Sequence, residues 1–188
     1  GTGVLTLLFP IMLGNHWYVL LLCVSFALIL IASLRFNLLK SINAIDRISY
    51  GSLLYPLAVY SCYLVYHVYS QKTGAEPESY IYFYLPILTL AICDPVAAAV
   101  GKRYPFGKFK IGKGYKTLAG SLAFFISSFV LTFILFYYFE SYATKLGNYY
   151  VATGIIAVGA SAIEAVSGKG VDNFTIPAIV TLLLIYFS

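Results

Sequence analysis

Charge is what this 188-residue chain has least of: Lys, Arg, Asp and Glu together make up 10% of it, against 61% hydrophobic residues. A water-facing surface needs far more charge than that, so a soluble globular domain is excluded. Acids are the scarcer sign, seven against twelve Lys and Arg, and none falls between Asp94 and Glu140. The apolar runs are continuous rather than alternating, which argues against a transmembrane β-barrel. Cysteine is sparse too. Cys23, Cys62 and Cys93 each lie inside an apolar run with no metal-like spacing, so neither a disulfide nor a zinc site is expected. Low-complexity tracts and internal repeats are missing as well, so the chain reads as a single integral membrane domain over residues 1–188.

What is present in abundance is apolar sequence of helix-spanning length. A hydrocarbon core of ~30 Å needs about 20 apolar residues in a helix. Residues 17–34, 50–69, 80–101, 117–139 and 148–166 fit, and 174–187 fits if it extends back through Asp172 and Asn173. Residues 2–13 are too short to span alone and read as the second half of a helix that begins before Gly1. The fold class expected is therefore all-α, a polytopic bundle of about six to seven spans. Residues 1–89 form its helical scaffold and 90–180 its motif-bearing region.

Cations set the direction of such a bundle. With strict alternation, loops 35–49, 102–116 and 167–173 share one side and carry ten of the twelve Lys and Arg, which makes that side cytoplasmic. Tyrosines crowd the span ends (Tyr80, Tyr82, Tyr84, Tyr137, Tyr138, Tyr149, Tyr150), as in an interfacial aromatic belt. His16 and His67 fall near the opposite interface and are not expected to be catalytic.

The chemistry concentrates between Asp94 and Ser121. An acid at membrane depth is costly and marks a functional site by default. Asp94, Ala97, Ala98 and Gly101 share one helix face, an acid in a stripe of small residues that lets a backbone or ligand approach. Pro95 is expected to break the helix beside the carboxylate. The following loop carries six cations (Lys102, Arg103, Lys108, Lys110, Lys113, Lys116) among glycines whose amides can wrap an anion. Gly107 to Lys113 matches G-x-x-x-x-G-K, but Gly114 follows where Ser or Thr is needed and no strand is expected before it, so a Walker P-loop is rejected. Thr117, Gly120 and Ser121 sit at a helix start, where they either bind an anion or serve as an ordinary N-cap. Farther on, Gly154, Ala157, Ser161, Glu164 and Gly168 recur at helical spacing and lead to Asp172 and Asn173. Asp94, Glu164, Asp172 and Asn173 are hard oxygen donors on one side of the membrane, a set that suits Mg²⁺ with phosphate oxygens.

Asp94, Ala97, Gly101 and Lys102, then Lys116-Thr117 with Gly120-Ser121, then Glu164, Asp172-Asn173 and Pro177 together resemble the CTP-dependent lipid alcohol kinases. That family includes phytol, dolichol and yeast-type diacylglycerol kinases, and the likeness covers about residues 90 to 180. The sequence departs from the pattern at Cys93, where the family usually has glycine, and at Tyr115, where it often has a basic residue. The family's Arg-Lys-x-x-His motif near the first helix is not found, and is expected to precede Gly1. The resemblance implies phosphoryl transfer from CTP, with Mg²⁺, to the hydroxyl of a long-chain lipid alcohol at the cytoplasmic face. It assigns Asp94, Lys116 and Glu164 to catalysis. Gly101, Lys102, Arg103, Lys113, Lys116, Thr117, Gly120 and Ser121 go to the nucleotide, and Asp94, Glu164, Asp172 and Asn173 to the metal. The partners implied are a nucleoside triphosphate, the lipid substrate and membrane lipids, with no nucleic acid. Two other readings remain open. One is a CTP:phosphatidate cytidylyltransferase, although its His-Gly-Gly…Asp-Arg type ending is not seen. The other is a transporter or lipid-binding protein that uses Asp94 and Glu164 as coupling sites.

Overall fold

The computed structural model describes residues 5–36, 51–74, 77–112, 114–139, 148–168 and 170–188. After a short helix α1 (Phe9–Met12) come α2 (His16–Phe36) and α3 (Gly51–Thr73). A 3₁₀ turn (Pro77–Tyr80), α4 (Ile81–Leu88), a π turn (Thr89–Cys93) and α5 (Asp94–Arg103) then run on from one another. A β-hairpin of β1 (Lys108–Ile111) and β2 (Gly114–Thr117) leads into α6 (Leu118–Tyr138), followed by α7 (Tyr149–Val166) and α8 (Asp172–Phe187). The chain is an all-α membrane bundle with one small hairpin. Four of the described helical stretches, His16–Ser33, Pro77–Arg103, Leu118–Tyr138 and Tyr149–Val166, are long and apolar enough to cross a membrane. The segments expected to span at 50–69 and 174–187 are helical as well. α3 carries five tyrosines that lower its hydropathy, and α8 is shorter, at 16 residues.

The bundle is arranged around α4. Its residues Ile81, Tyr82, Phe83, Leu85, Pro86 and Ile87 are buried, a helix apolar on all sides and therefore internal. α3, α6 and α8 pack on α4, while α2 lies on α3, α8 joins α3 to α7, and α6 sits between α7 and α5. α6 shows the division of labour most plainly. Gly120, Phe124, Ser128, Thr132 and Phe136, each four residues apart, are buried, while Leu118, Leu122, Ile126, Val130 and Ile134 form a parallel exposed ridge suited to lipid. The tyrosines expected at the interface divide. Tyr137 and Tyr138 are exposed, but Tyr82 is buried and stacks on Tyr69 at 4.1 Å between centroids.

Two local expectations are corrected. Pro95 does not break the helix: it sits in the first turn of α5, and the helical path continues into it from α4. Proline lacks an N–H and crowds the carbonyl four residues back. The π turn at Thr89–Cys93 loosens the ladder at that point and lets the path run on. The basic segment is also not an open glycine loop. Residues 108–111 and 114–117 pair antiparallel, Lys108 opposite Thr117 and Lys110 opposite Tyr115. Gly112 (φ 56°) makes the turn and Gly107 (φ 62°) starts the hairpin, both in the left-handed region. Leu118 N–H donates to the Gly107 carbonyl at 3.2 Å, tying the hairpin base to the start of α6.

Candidate functional site

The small-residue stripe of α5 does what its composition implies: it brings α6 into backbone contact. A methyl group on Gly101 would lie 2.6 Å from Thr117 Oγ1, and one on Gly120 would lie 3.0 Å from the Ala97 carbonyl oxygen. Neither position has room for a side chain. The crossing places the start of α6 beside the Asp94 face. The end of α7 and the start of α8 complete a cleft of about 560 Å³, roofed on one side by the hairpin. That volume lies within the usual ~300–1,000 Å³ of small-molecule sites.

Of the sequence-predicted residues, Asp94, Gly101, Lys102, Lys116, Thr117, Gly120, Ser121, Glu164 and Asp172 all line this cleft. Arg103 is exposed and does not line it. Asn173 also faces elsewhere: its side-chain amide donates to the Gly51 carbonyl at 2.9 Å, tying α8 to the start of α3. Lys113 lies outside the described residues, as do Lys169 and most of the 35–49 loop. His16 and His67 pair with each other at 5.2 Å between ring centroids and take no part in the cleft.

Glu164 is the most deeply placed charge of the site, 5% exposed at the end of α7. Lys116 reaches it from β2, donating to Oε1 at 2.5 Å and also to the Glu164 backbone carbonyl. Ser121 Oγ donates to Oε2 at 3.3 Å. A buried carboxylate requires such partners, and here the partners come from the hairpin and from α6. Thr117 is the N-cap of α6: its Oγ1 accepts from Gly120 N–H at 3.0 Å. With Leu118 N–H also engaged by Gly107, two of the amides that a helix start leaves free are already occupied. Fewer bare amides are therefore left at this end for an anion than a helix start ordinarily offers.

Asp94 differs from Glu164. Its half-buried carboxylate has no hydrogen-bond partner among the described residues, while it lies within electrostatic reach of Asp172, Lys116 and Glu164. Asp172 Oδ1 accepts from Asn173 N–H at 3.1 Å. Among the described residues no three His, Cys, Asp or Glu side chains gather into a preformed metal cage. Mg²⁺ commonly takes only one or two carboxylates and completes its shell with phosphate and water. Glu164 and Asp172 fit that donor set, since carboxylate oxygens keep lone pairs beyond those already used.

Besides Pro105, two lining residues were given no site role in the sequence reading, Lys108 and Tyr115. The signal for Lys108 was the alternation in Lys-Phe-Lys-Ile, which puts Lys108 and Lys110 on one face of β1. The signal for Tyr115 was an aromatic residue embedded in a cationic segment.

Comparison with known proteins gives one informative likeness. The chain is 28% identical over 149 residues to a phytol kinase of Synechocystis sp., a match covering 79% of this chain. The chain spans 59% of that relative's length. No family model matches the chain, and no solved structure matches it.

Proposed function

We propose that the chain is the catalytic region of a lipid alcohol kinase, moving the γ-phosphoryl group of a nucleoside triphosphate onto the hydroxyl of a long-chain membrane alcohol. The observation that carries this reading is the polarity of the cleft. Asp94 stands about 12 Å inward of Lys102 along α5, at 1.5 Å per residue, so an acidic floor faces the membrane interior and a cationic mouth faces out. An alcohol arriving from the bilayer and a triphosphate arriving from water would meet between them. The likeness to a phytol kinase supports the substrate class, and the motif resemblance supports CTP as donor.

Phosphoryl transfer asks mainly for positioning and for neutralisation of charge. Lys116 and Lys102 hold the phosphates, with Ser121 donating from the start of α6. Mg²⁺, held by Glu164 and Asp172, would neutralise charge on the β- and γ-phosphates. The alcohol oxygen bonds to the γ-phosphorus as the bond from that phosphorus to the β–γ bridging oxygen breaks. Asp94 takes the hydroxyl proton, and the nucleoside diphosphate leaves through the mouth. The ten-to-two distribution of cations supports a mouth at the cytoplasmic face.

The test uses the purified chain in nanodiscs with Mg²⁺, prenols including phytol, diacylglycerol and phosphatidate. CTP labelled on the γ-phosphate is compared with CTP labelled on the α-phosphate. Transfer from the γ-position alone, lost in Asp94→Asn, is the expected result, and the labelled lipid identifies the acceptor. Transfer from the α-position would establish cytidylyl transfer instead. A folded protein that neither binds CTP nor transfers label would overturn the kinase reading.

A further inference from the structure

Among the described residues, Tyr115 is the one aromatic residue that lines the cleft. Tyr69, Tyr80, Tyr82, Tyr84, Tyr149 and Tyr150 all stack or pack against another aromatic ring. Tyr115 is 71% exposed and has neither a ring contact nor a hydrogen bond among the described residues. Tyr104 and Phe106 are exposed nearby, but they do not line the cleft, whereas Tyr115 does. Its place is fixed by the hairpin: it stands opposite Lys110 on β2 and directly precedes Lys116, whose ammonium is anchored on Glu164. The ring is thus held on a short, paired strand rather than on a free loop.

The direction of the cleft decides what reaches that ring. Acids at the floor require the reacting phosphate to go inward, and Lys116 and Lys102 mark the path of the phosphate chain. Whatever the phosphates are attached to is left at the mouth, beside Lys108 and Tyr115. An aromatic face offers phosphate nothing, but it offers a flat, π-rich partner a stacking surface in a cationic setting.

The geometry points to Tyr115 as the platform on which the base of the nucleoside triphosphate stacks. This rests on the nucleotide-dependent reading of the cleft and adds the residue that engages the base. Stacking alone reads no hydrogen-bonding edge, so Tyr115 contributes affinity for a base in general and does not select cytosine.

The test is equilibrium binding to the full chain in nanodiscs with Mg²⁺, using CTP and inorganic tripolyphosphate as paired probes. Wild type is compared with Tyr115→Ala, Tyr115→Phe and Tyr115→Trp. Tyr115→Ala is expected to weaken CTP about ten-fold or more, the scale of one base–aromatic stack, and to leave tripolyphosphate within about two-fold. Phe and Trp are expected to hold CTP near the wild-type value. Equal weakening of both probes by Tyr115→Ala, or no weakening of CTP, overturns the inference while leaving the kinase reading in place. So does loss of CTP binding in Tyr115→Phe, which keeps the ring. Wild-type protein that binds neither probe overturns both. An interfacial anchor, the ordinary role for a tyrosine at this depth, would move the two probes together.

Discussion

Lys116 and Glu164 form an ion pair at 2.5 Å in which the carboxylate side chain is only 7% exposed and the lysine 19%. The pair joins the second hairpin strand to the end of α7, so the hairpin is fastened to the bundle at a charged point inside the cleft.

Because both charges are largely withdrawn from water, removing one strands the other. Lys116→Ala should destabilise the protein by about 3–5 kcal/mol, whereas Lys116→Met combined with Glu164→Leu should recover most of that loss. Thermal unfolding of the single and double variants in one detergent checks it. A double variant no more stable than Lys116→Ala would show that the pair is not what holds the hairpin. On the kinase reading, transferase activity should be absent from all of them.

The close crossing of α5 and α6 gives a second expectation. In Gly101→Ala the new methyl group meets Thr117 Oγ1 at 2.6 Å, and the helices must part at a cost of about 1–3 kcal/mol. Thr117→Ala alone loses a helix cap, about 1 kcal/mol. The double variant should cost less than the sum, since the cap's oxygen is the atom in the way. Simple additivity of the unfolding midpoints would mean the clash is relieved elsewhere.

Asn173 should separate structure from chemistry. Its amide serves the Gly51 carbonyl, so Asn173→Ala should cost roughly 0.5–1.5 kcal/mol of stability. On the kinase reading, the Mg²⁺ concentration giving half-maximal transfer should stay unchanged. A several-fold rise in that concentration would place Asn173 in the proposed metal set.

A further expectation concerns the interior of α6. Ser128 and Thr132 are fully buried, and their hydroxyls have no hydrogen-bond partner among the described residues. Ser128→Ala and Thr132→Val should therefore be neutral or stabilising, because each removes a desolvated polar group that nothing satisfies. Unfolding midpoints lowered by several degrees would indicate that these hydroxyls meet a partner after all.

Much of the site is legible in the sequence, and the reason is periodicity. Asp94, Ala97, Ala98 and Gly101 share a face by helical spacing alone, and the backbone-close crossing follows from what small residues permit. Thr117 was legible as a cap, and Asp172 as the first residue of a helix. Asn173 joins the same cluster by adjacency in sequence, yet neighbours on a helix point about 100° apart. With Asp172 lining the cleft, Asn173 is turned toward α3. The hairpin was obscured for a different reason. Its strands are four residues each, and glycines able to wrap an anion look identical to glycines that make turns until their φ angles are known. The Lys116–Glu164 contact spans 48 positions and has no local signature, since only the folded arrangement brings β2 against α7.

The π turn ahead of Asp94 has a consequence for how this helix tolerates change in length. Such a turn is a spare residue lodged in an otherwise ordinary helix, and it fixes the rotational phase of α5 against α4. α4 must keep its sides sealed in the bundle while α5 presents an acid to the cleft, and a uniform helix would tie those two orientations together. Deleting any one residue between Thr89 and Cys93 would leave the chain free to coil regularly. Because the residue removed is the spare one, Asp94 would keep its phase relative to α4, whereas winding all five residues as regular helix would rotate it by about 100° and swing the carboxylate off the cleft.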